Sequence, residues 1–154
     1  MIVFEYILDF IYGLFRFMYG DGLREHMWGL ALDPNTGNFD YIGTNLYNVC
    51  GVIALLSAIL AAVFFYYIWN PARNMRPRWF IMLATAAVIN LIIGFAILYL
   101  DLINERISLP DGYYVSGLDS FMFGVSNLIV SAIFFFIVAI ILKWRSSSNP
   151  HIPF

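Results

Sequence analysis

Charge is what this chain has least of. Of its 154 residues, 12% are Asp, Glu, Lys or Arg against 62% apolar or aromatic, and mean hydropathy is +0.79. Soluble globular domains carry about 25% charged residues. Too little polar surface is therefore present to coat a water-exposed fold, which excludes a soluble enzyme domain. Nor is there an excess of positive charge. The 8 basic and 10 acidic side chains leave a formal net charge of −2, without the basic footprint of a nucleic-acid binder. The single cysteine, Cys50, excludes an intrachain disulfide; near the end of an apolar run it reads as a small buried side chain. The two histidines, His26 and His151, fall outside the apolar runs, so no haem can be held by two histidines within a bilayer. HExxH, GxxxxGK[ST], GxGxxG and GxSxG patterns are absent, leaving metal, phosphate and nucleophile chemistry without a local signature. No cofactor is expected. The opening MIVFEYILDF lacks a basic stretch and carries Glu5 and Asp9, so it reads as mature sequence rather than a secretory leader.

What the chain does have is long uncharged sequence. Residues 41–72, 79–100 and 120–142 hold no charged side chain over 32, 22 and 23 positions. A lipid core about 30 Å thick takes about 20 helical residues at 1.5 Å each, so each run can cross it. Helices are predicted over about residues 46–69, 79–100 and 118–142, within a single membrane domain that covers residues 1–154. Pro71 and Pro77 interrupt the first two, in NPARNMRPR, where Arg73, Arg76 and Arg78 crowd together. Tyr and Trp gather where the runs end, as amphipathic rings do at headgroup level.

Basic residues near span ends set orientation. Arg73, Arg76 and Arg78 in loop 70–78, and Lys143 and Arg145 in the tail 143–154, stand against Arg24 and Arg106 on the opposite side. There the acids Asp21, Glu25, Asp33, Asp40, Asp101, Glu105 and Asp111 outnumber them. The arginine loop and the tail are therefore expected in the cytoplasm, with loops 20–45 and 101–117 outside. The same arginines would attract anionic headgroups at about 1 kcal/mol each. A prokaryotic cytoplasmic membrane is the expected location.

The N-terminal segment has a different pattern. Glu5, Asp9, Tyr12, Arg16 and Tyr19 recur at i, i+4, i+7, i+11 and i+14, a narrow polar stripe at about 100° per residue. Apolar side chains cover the rest of residues 2–19. Such a helix either spans the bilayer with its stripe against other helices, or lies along the interface. A thin stripe on a wide apolar surface favours spanning. The expected fold is thus an all-α integral membrane protein, a four-helix bundle of three spans plus this amphipathic helix.

Lipid gives no hydrophobic reward for helix pairing, so contacts rely on small residues and interhelical hydrogen bonds. The second span carries Asn90 and Gly94 on one face. The third carries Ser120, Gly124, Asn127 and Ser131 as a stripe. Asn90 stands 11 residues from Asp101 and Asn127 stands 8 from Asp119, so the two amides lie at similar depth and can pair. Read functionally, Asn90, Asn127, Ser131 and the Glu5/Asp9/Arg16 stripe would form a polar line through the membrane; read structurally, Arg16 pairs with Asp119 or Asp101.

Loop 20–45 holds Asp21, Glu25 and His26, weak candidates for a divalent cation because their spacing matches no ligand pattern. Residues 22–32 have Leu23, Met27 and Leu30 at helical spacing, and ALDPNTGNFDY is rich in turn formers. The function expected from all this is a non-enzymatic assembly or accessory subunit, packing through its small-residue seams against copies of itself or other membrane subunits in the lipid bilayer. A homo-oligomeric channel lined by one of the polar stripes is the alternative. A membrane enzyme using the outer acids and His26 ranks third.

Overall fold

Three long helices dominate the computed structural model, which describes the backbone of residues 2–69 and 75–145 and the side chains of residues 6–69 and 77–143. Residues 71 and 73, the tail beyond residue 145, and the side chains of Glu5, Arg76 and Arg145 lie outside the described residues. Helix α1 (Ile2–Gly13) leads through a short 3-10 turn, Arg16–Met18, to α2 (Asp21–Trp28). A hairpin follows, β1 (Leu30–Leu32) and β2 (Phe39–Tyr41). Then come α3 (Leu46–Val63), whose last turns widen to π geometry over Phe64–Trp69, α4 (Met75–Ile103) and α5 (Gly117–Arg145).

Among the described residues, three stretches are long and apolar enough to cross a membrane: Leu46–Trp69, Pro77–Ile103 and Gly117–Lys143, of 24, 27 and 27 residues. At 1.5 Å per residue the shortest reaches about 36 Å. The protein is therefore mostly helical with three membrane-spanning-capable helices, as a multi-pass membrane protein requires. Helix α1 has 12 residues and does not join that set. It ends at Gly13, where the sequence pattern predicts a helix through residue 19.

Local chemistry sets the helix ends. The Asn45 side chain accepts from the Asn48 amide at 3.1 Å and starts α3. Ser116 and Asp119 form a capping box at the start of α5: Asp119 accepts from the Ser116 amide at 2.9 Å, and Ser116 Oγ accepts from the Asp119 amide at 3.2 Å. Pro77 lies inside the first turn of α4, where its missing N–H would have had no partner anyway. At that same end the Arg78 guanidinium lies over the Trp69 ring, 5.4 Å from its centroid, tying the start of α4 to the end of α3.

Helices α4 and α5 approach most closely through glycine. A Cβ on Gly124 would stand 2.9 Å from the Leu91 carbonyl oxygen and 3.2 Å from Phe95 Cβ, so only glycine lets the two backbones meet there. Helix α3 contributes the stripe Ala54, Ala58 and Ala62, all fully buried. Leu8 of α1 sits over Gly51, where an added Cβ would collide with its methyl groups.

The segment read as an outer loop is an ordered cap at the end where α3 and α5 begin and α4 ends. Gly29 terminates α2 in the left-handed region at φ 89, a conformation that glycine adopts without strain. β1 and β2 pair antiparallel in the register Leu30↔Tyr41, Ala31↔Asp40 and Leu32↔Phe39. The hairpin tip is built by Asp33, whose carboxylate accepts from the Asn35 amide at 2.8 Å and the Thr36 hydroxyl at 2.9 Å. These two donors hold the Asp33 carboxyl below the usual range. The bonds persist above its ordinary pKa and are lost as pH falls through the lowered one.

We expect Gly124→Val to lower unfolding free energy by about 1–3 kcal/mol, the cost of overpacking a close contact. Unfolding in mixed micelles followed by circular dichroism measures it; an unchanged midpoint would mean that α4 and α5 do not meet at this residue.

Candidate functional site

The bundle interior is joined by a hydrogen-bonded chain that begins on α1. Tyr12, 1% exposed, donates to Asn127 Oδ1 of α5 at 2.6 Å. Asn127 Nδ2 donates to the Asn90 carbonyl of α4 at 2.8 Å. Asn90 Nδ2 lies 2.6 Å from Ser57 Oγ of α3, 2.8 Å from the Ala86 carbonyl and 2.9 Å from Ser131 Oγ. Four helices thus share one polar cluster. Asn90, Asn127 and Ser131 are all 0% exposed, sealed from lipid and water within one chain. Gly94 makes room for the Asn127 side chain: a Cβ there would stand 3.0 Å from Nδ2 and 3.1 Å from Cβ of the asparagine. One buried atom, Asn90 Oδ1, has no donor among the described residues.

Toward the cap the chain continues in tyrosines. Tyr19 donates to the Tyr12 carbonyl at 3.3 Å, and Tyr47 reaches the Tyr19 hydroxyl at 3.4 Å. Phe123 stacks on Tyr12 at 5.6 Å between centroids. Ser120 is buried and turns its hydroxyl to the Ser116 carbonyl at 3.4 Å.

The acidic groups near the span ends serve the cap. Asp119 accepts from the Gly20 amide at 3.0 Å, fastening the α1–α2 corner to the start of α5. Asp101 meets His26 Nε2 at 3.4 Å and Arg106 at 3.7 Å, fastening α2 to the end of α4. Arg16 pairs with neither acid among the described residues. Of the weak cation candidates, Asp21 lies 3.7 Å from Arg24, and Glu25 accepts from the Tyr41 hydroxyl at 2.5 Å. That bond pushes the Tyr41 phenol above its usual range. His26 is engaged by Asp101, and no metal-ligating group of three such side chains occurs among the described residues.

Asp9 and Arg16 are exposed. They line a cleft of about 320 Å³ with Arg24, Glu25, Trp28, Tyr41 and Tyr47. The α1 stripe is therefore divided. Tyr12 and Tyr19 face the bundle, while Asp9 and Arg16 open toward the cap. Arg78 and Lys143 stand at the opposite end of the bundle, on α4 and α5.

One participant, Ser57, is missing from the sequence reading of the polar line. Ser57 stands 11 residues into α3, as Asn90 stands 11 from Asp101; this equal depth was a usable signal. The cleft walls had none: Tyr47 reads as one ring of an interfacial belt, and Trp28 falls in the segment read as a loop. A comparison of the chain with protein-family models, curated proteins and solved structures finds no match to any of them.

Tyr12→Phe should cost about 1 kcal/mol, the net worth of one buried hydrogen bond, and Asn127→Leu roughly 2–3 kcal/mol, because it removes two bonds and enlarges the branch against Gly94. Micellar unfolding measures both. Wild-type stability in the phenylalanine variant would show that α1 is not held by this bond.

Proposed function

We propose that this chain is a non-enzymatic accessory subunit of a membrane complex, with its bundle acting as a scaffold that holds an extracytoplasmic cap at the membrane surface. The observation that carries this reading is the closed polar cluster. Tyr12, Asn127, Asn90, Ser57 and Ser131 bond to one another across four helices, and Gly94, Gly124 and Gly51 are occupied by neighbours of the same chain. Apart from Asn90 Oδ1, the polar groups of this cluster are thus spent on cohesion. Surface for a partner is left on the cap, where Leu32 and Phe39 face each other across the hairpin and both are exposed.

The arginine end lies in the cytoplasm in this reading, by the excess of basic residues there, and the C-terminal tail with it. A prokaryotic cytoplasmic membrane is the location that goes with this reading. Helix α1 enters the bilayer from the cap side. Its outward face, Tyr6, Phe10, Leu14 and Phe17, is 57–85% exposed, a surface suited to lipid rather than water. Tyr12 packs beside Tyr47 and Leu8 over Gly51, so four residues along α1 match four along α3. Continued in that register, Ile2 reaches the level of Ser57, halfway along Leu46–Trp69. A fourth full span would need α1 to continue beyond that level.

Native mass spectrometry of the protein extracted in mild detergent tests the assignment. Co-extraction with a different chain is expected. A closed homo-oligomer that carries ions in liposomes would overturn it in favour of a pore.

A further inference from the structure

We propose that the cleft between α1 and the cap binds a small soluble amino acid, with the ligand's carboxylate on Arg16 and its primary ammonium on Asp9. Both side chains are exposed and line one cavity of about 320 Å³, at the lower end of the range for small-ligand sites. Among the described residues neither forms an ion pair, and they do not pair with each other. The other charges of the cleft are engaged: Arg24 lies 3.8 Å from Glu25, and Glu25 also accepts from Tyr41. One open cation and one open anion select a ligand that carries one charge of each sign. A carboxylate matches the donor fork of a guanidinium and balances its single charge. A phosphate monoester, at about −1.5 to −2 near pH 7, would leave negative charge uncompensated beside Asp9 and Glu25. Asp9 in turn suits an amine that still has N–H to donate. The rings of Trp28 and Tyr47 meet edge to face in the same cleft, 5.8 Å between centroids, and a ring face attracts an ammonium.

The depths of the two charges separate a soluble ligand from a lipid. Leu8 sits over Gly51 and Tyr12 packs beside Tyr47, so α1 runs antiparallel to α3. Asp9 therefore lies inside the start of α3, near the level of Cys50, and Arg16 lies nearer the cap. A zwitterionic phospholipid carries its phosphate between its acyl chains and its amine. Set on these two side chains, it would point its amine into the bilayer and its chains toward water. A free amino acid has no chains to place. It enters from the cap side amine first, and its carboxylate stops at Arg16. Seven residues separate Asp9 from Arg16, up to about 10 Å at helical rise, which suits an amine and a carboxylate at opposite ends of a short carbon chain. The site does not depend on the accessory role; loss of amino-acid binding and loss of a protein partner are separate readouts.

The test is isothermal titration calorimetry of the full chain in mild detergent with the unbranched ω-amino acids from glycine to 6-aminohexanoate. Each is compared with the alkylamine and the alkanoate of the same length, which keep one charge apiece. At least one amino acid should bind about tenfold tighter than either counterpart, the worth of one charge-assisted hydrogen bond. Arg16→Gln should bring that amino acid down to the affinity of its alkylamine, and Asp9→Asn to that of its alkanoate. Both side chains are exposed, so both variants should keep the wild-type circular dichroism, and Arg78→Gln at the far end should leave the affinity unchanged. A series in which no member outbinds its single-charge counterparts, or wild-type affinity in either cleft variant, would overturn the assignment. Phosphoethanolamine binding tighter than every amino acid would also overturn it, in favour of a phosphate ligand.

Discussion

An amide inside a bilayer has no water to turn to, and the structure is organised around supplying two of them with partners. Asn90 and Asn127 sit where an unmet hydrogen-bonding group would cost several kcal/mol. Their bonds reach a backbone carbonyl on α4, hydroxyls on α3 and α5, and a phenol on α1. Each bond is modest, but together they fix which helices are neighbours and at what height. Glycine follows from the same demand, since Gly94 gives Asn127 the space to lie flat between α4 and α5. Small residues and amides are therefore one device in this bundle. The first brings the backbones close, and the second uses the closeness.

The cap depends on the bundle in turn. Two strands of three residues have no independent stability, and α2 is only 8 residues long. They persist because three ties hold them, two to the spans, Gly20 to Asp119 and His26 to Asp101, and one from the Tyr19 hydroxyl to the α1 backbone. Two of these ties use carboxylates at the ends of transmembrane helices. An acid at that position reads from sequence as a charge kept out of lipid, whereas here it is also a fastening point for structure outside.

How much was legible follows from the range of the forces involved. The spans Leu46–Trp69, Pro77–Ile103 and Gly117–Lys143 follow the uncharged runs closely, because desolvation acts residue by residue. The equal depth of Asn90 and Asn127 was likewise readable from counting. Less legible was the end of α1. The apolar pattern runs on to residue 19, but the chain leaves the helix at Gly13 so that Gly20 can reach Asp119, a contact 99 residues distant. The hairpin was hidden for a similar reason: its strands are short, and Gly29 and Gly43 join across it by backbone alone, with the Gly43 amide 2.8 Å from the Gly29 carbonyl. The stripe on α1 was legible as a pattern, but its division between bundle and cleft was set by the cap folding over it.

The bond from Tyr12 to Asn127 spans 115 residues, and this has a consequence for biogenesis. Chains are made from the N-terminus at about 5–20 residues per second, so α1 emerges several seconds before the helix that satisfies its tyrosine. During that interval Gly51 becomes available to receive Leu8, but Phe123 is not yet there to cover Tyr12. Helix α1 therefore completes its contacts only when α5 arrives, whatever it has already met on α3. Until then the Tyr12 hydroxyl has no acceptor on α5, and the polar stripe of α1 is the part of the bundle that stays unmatched longest.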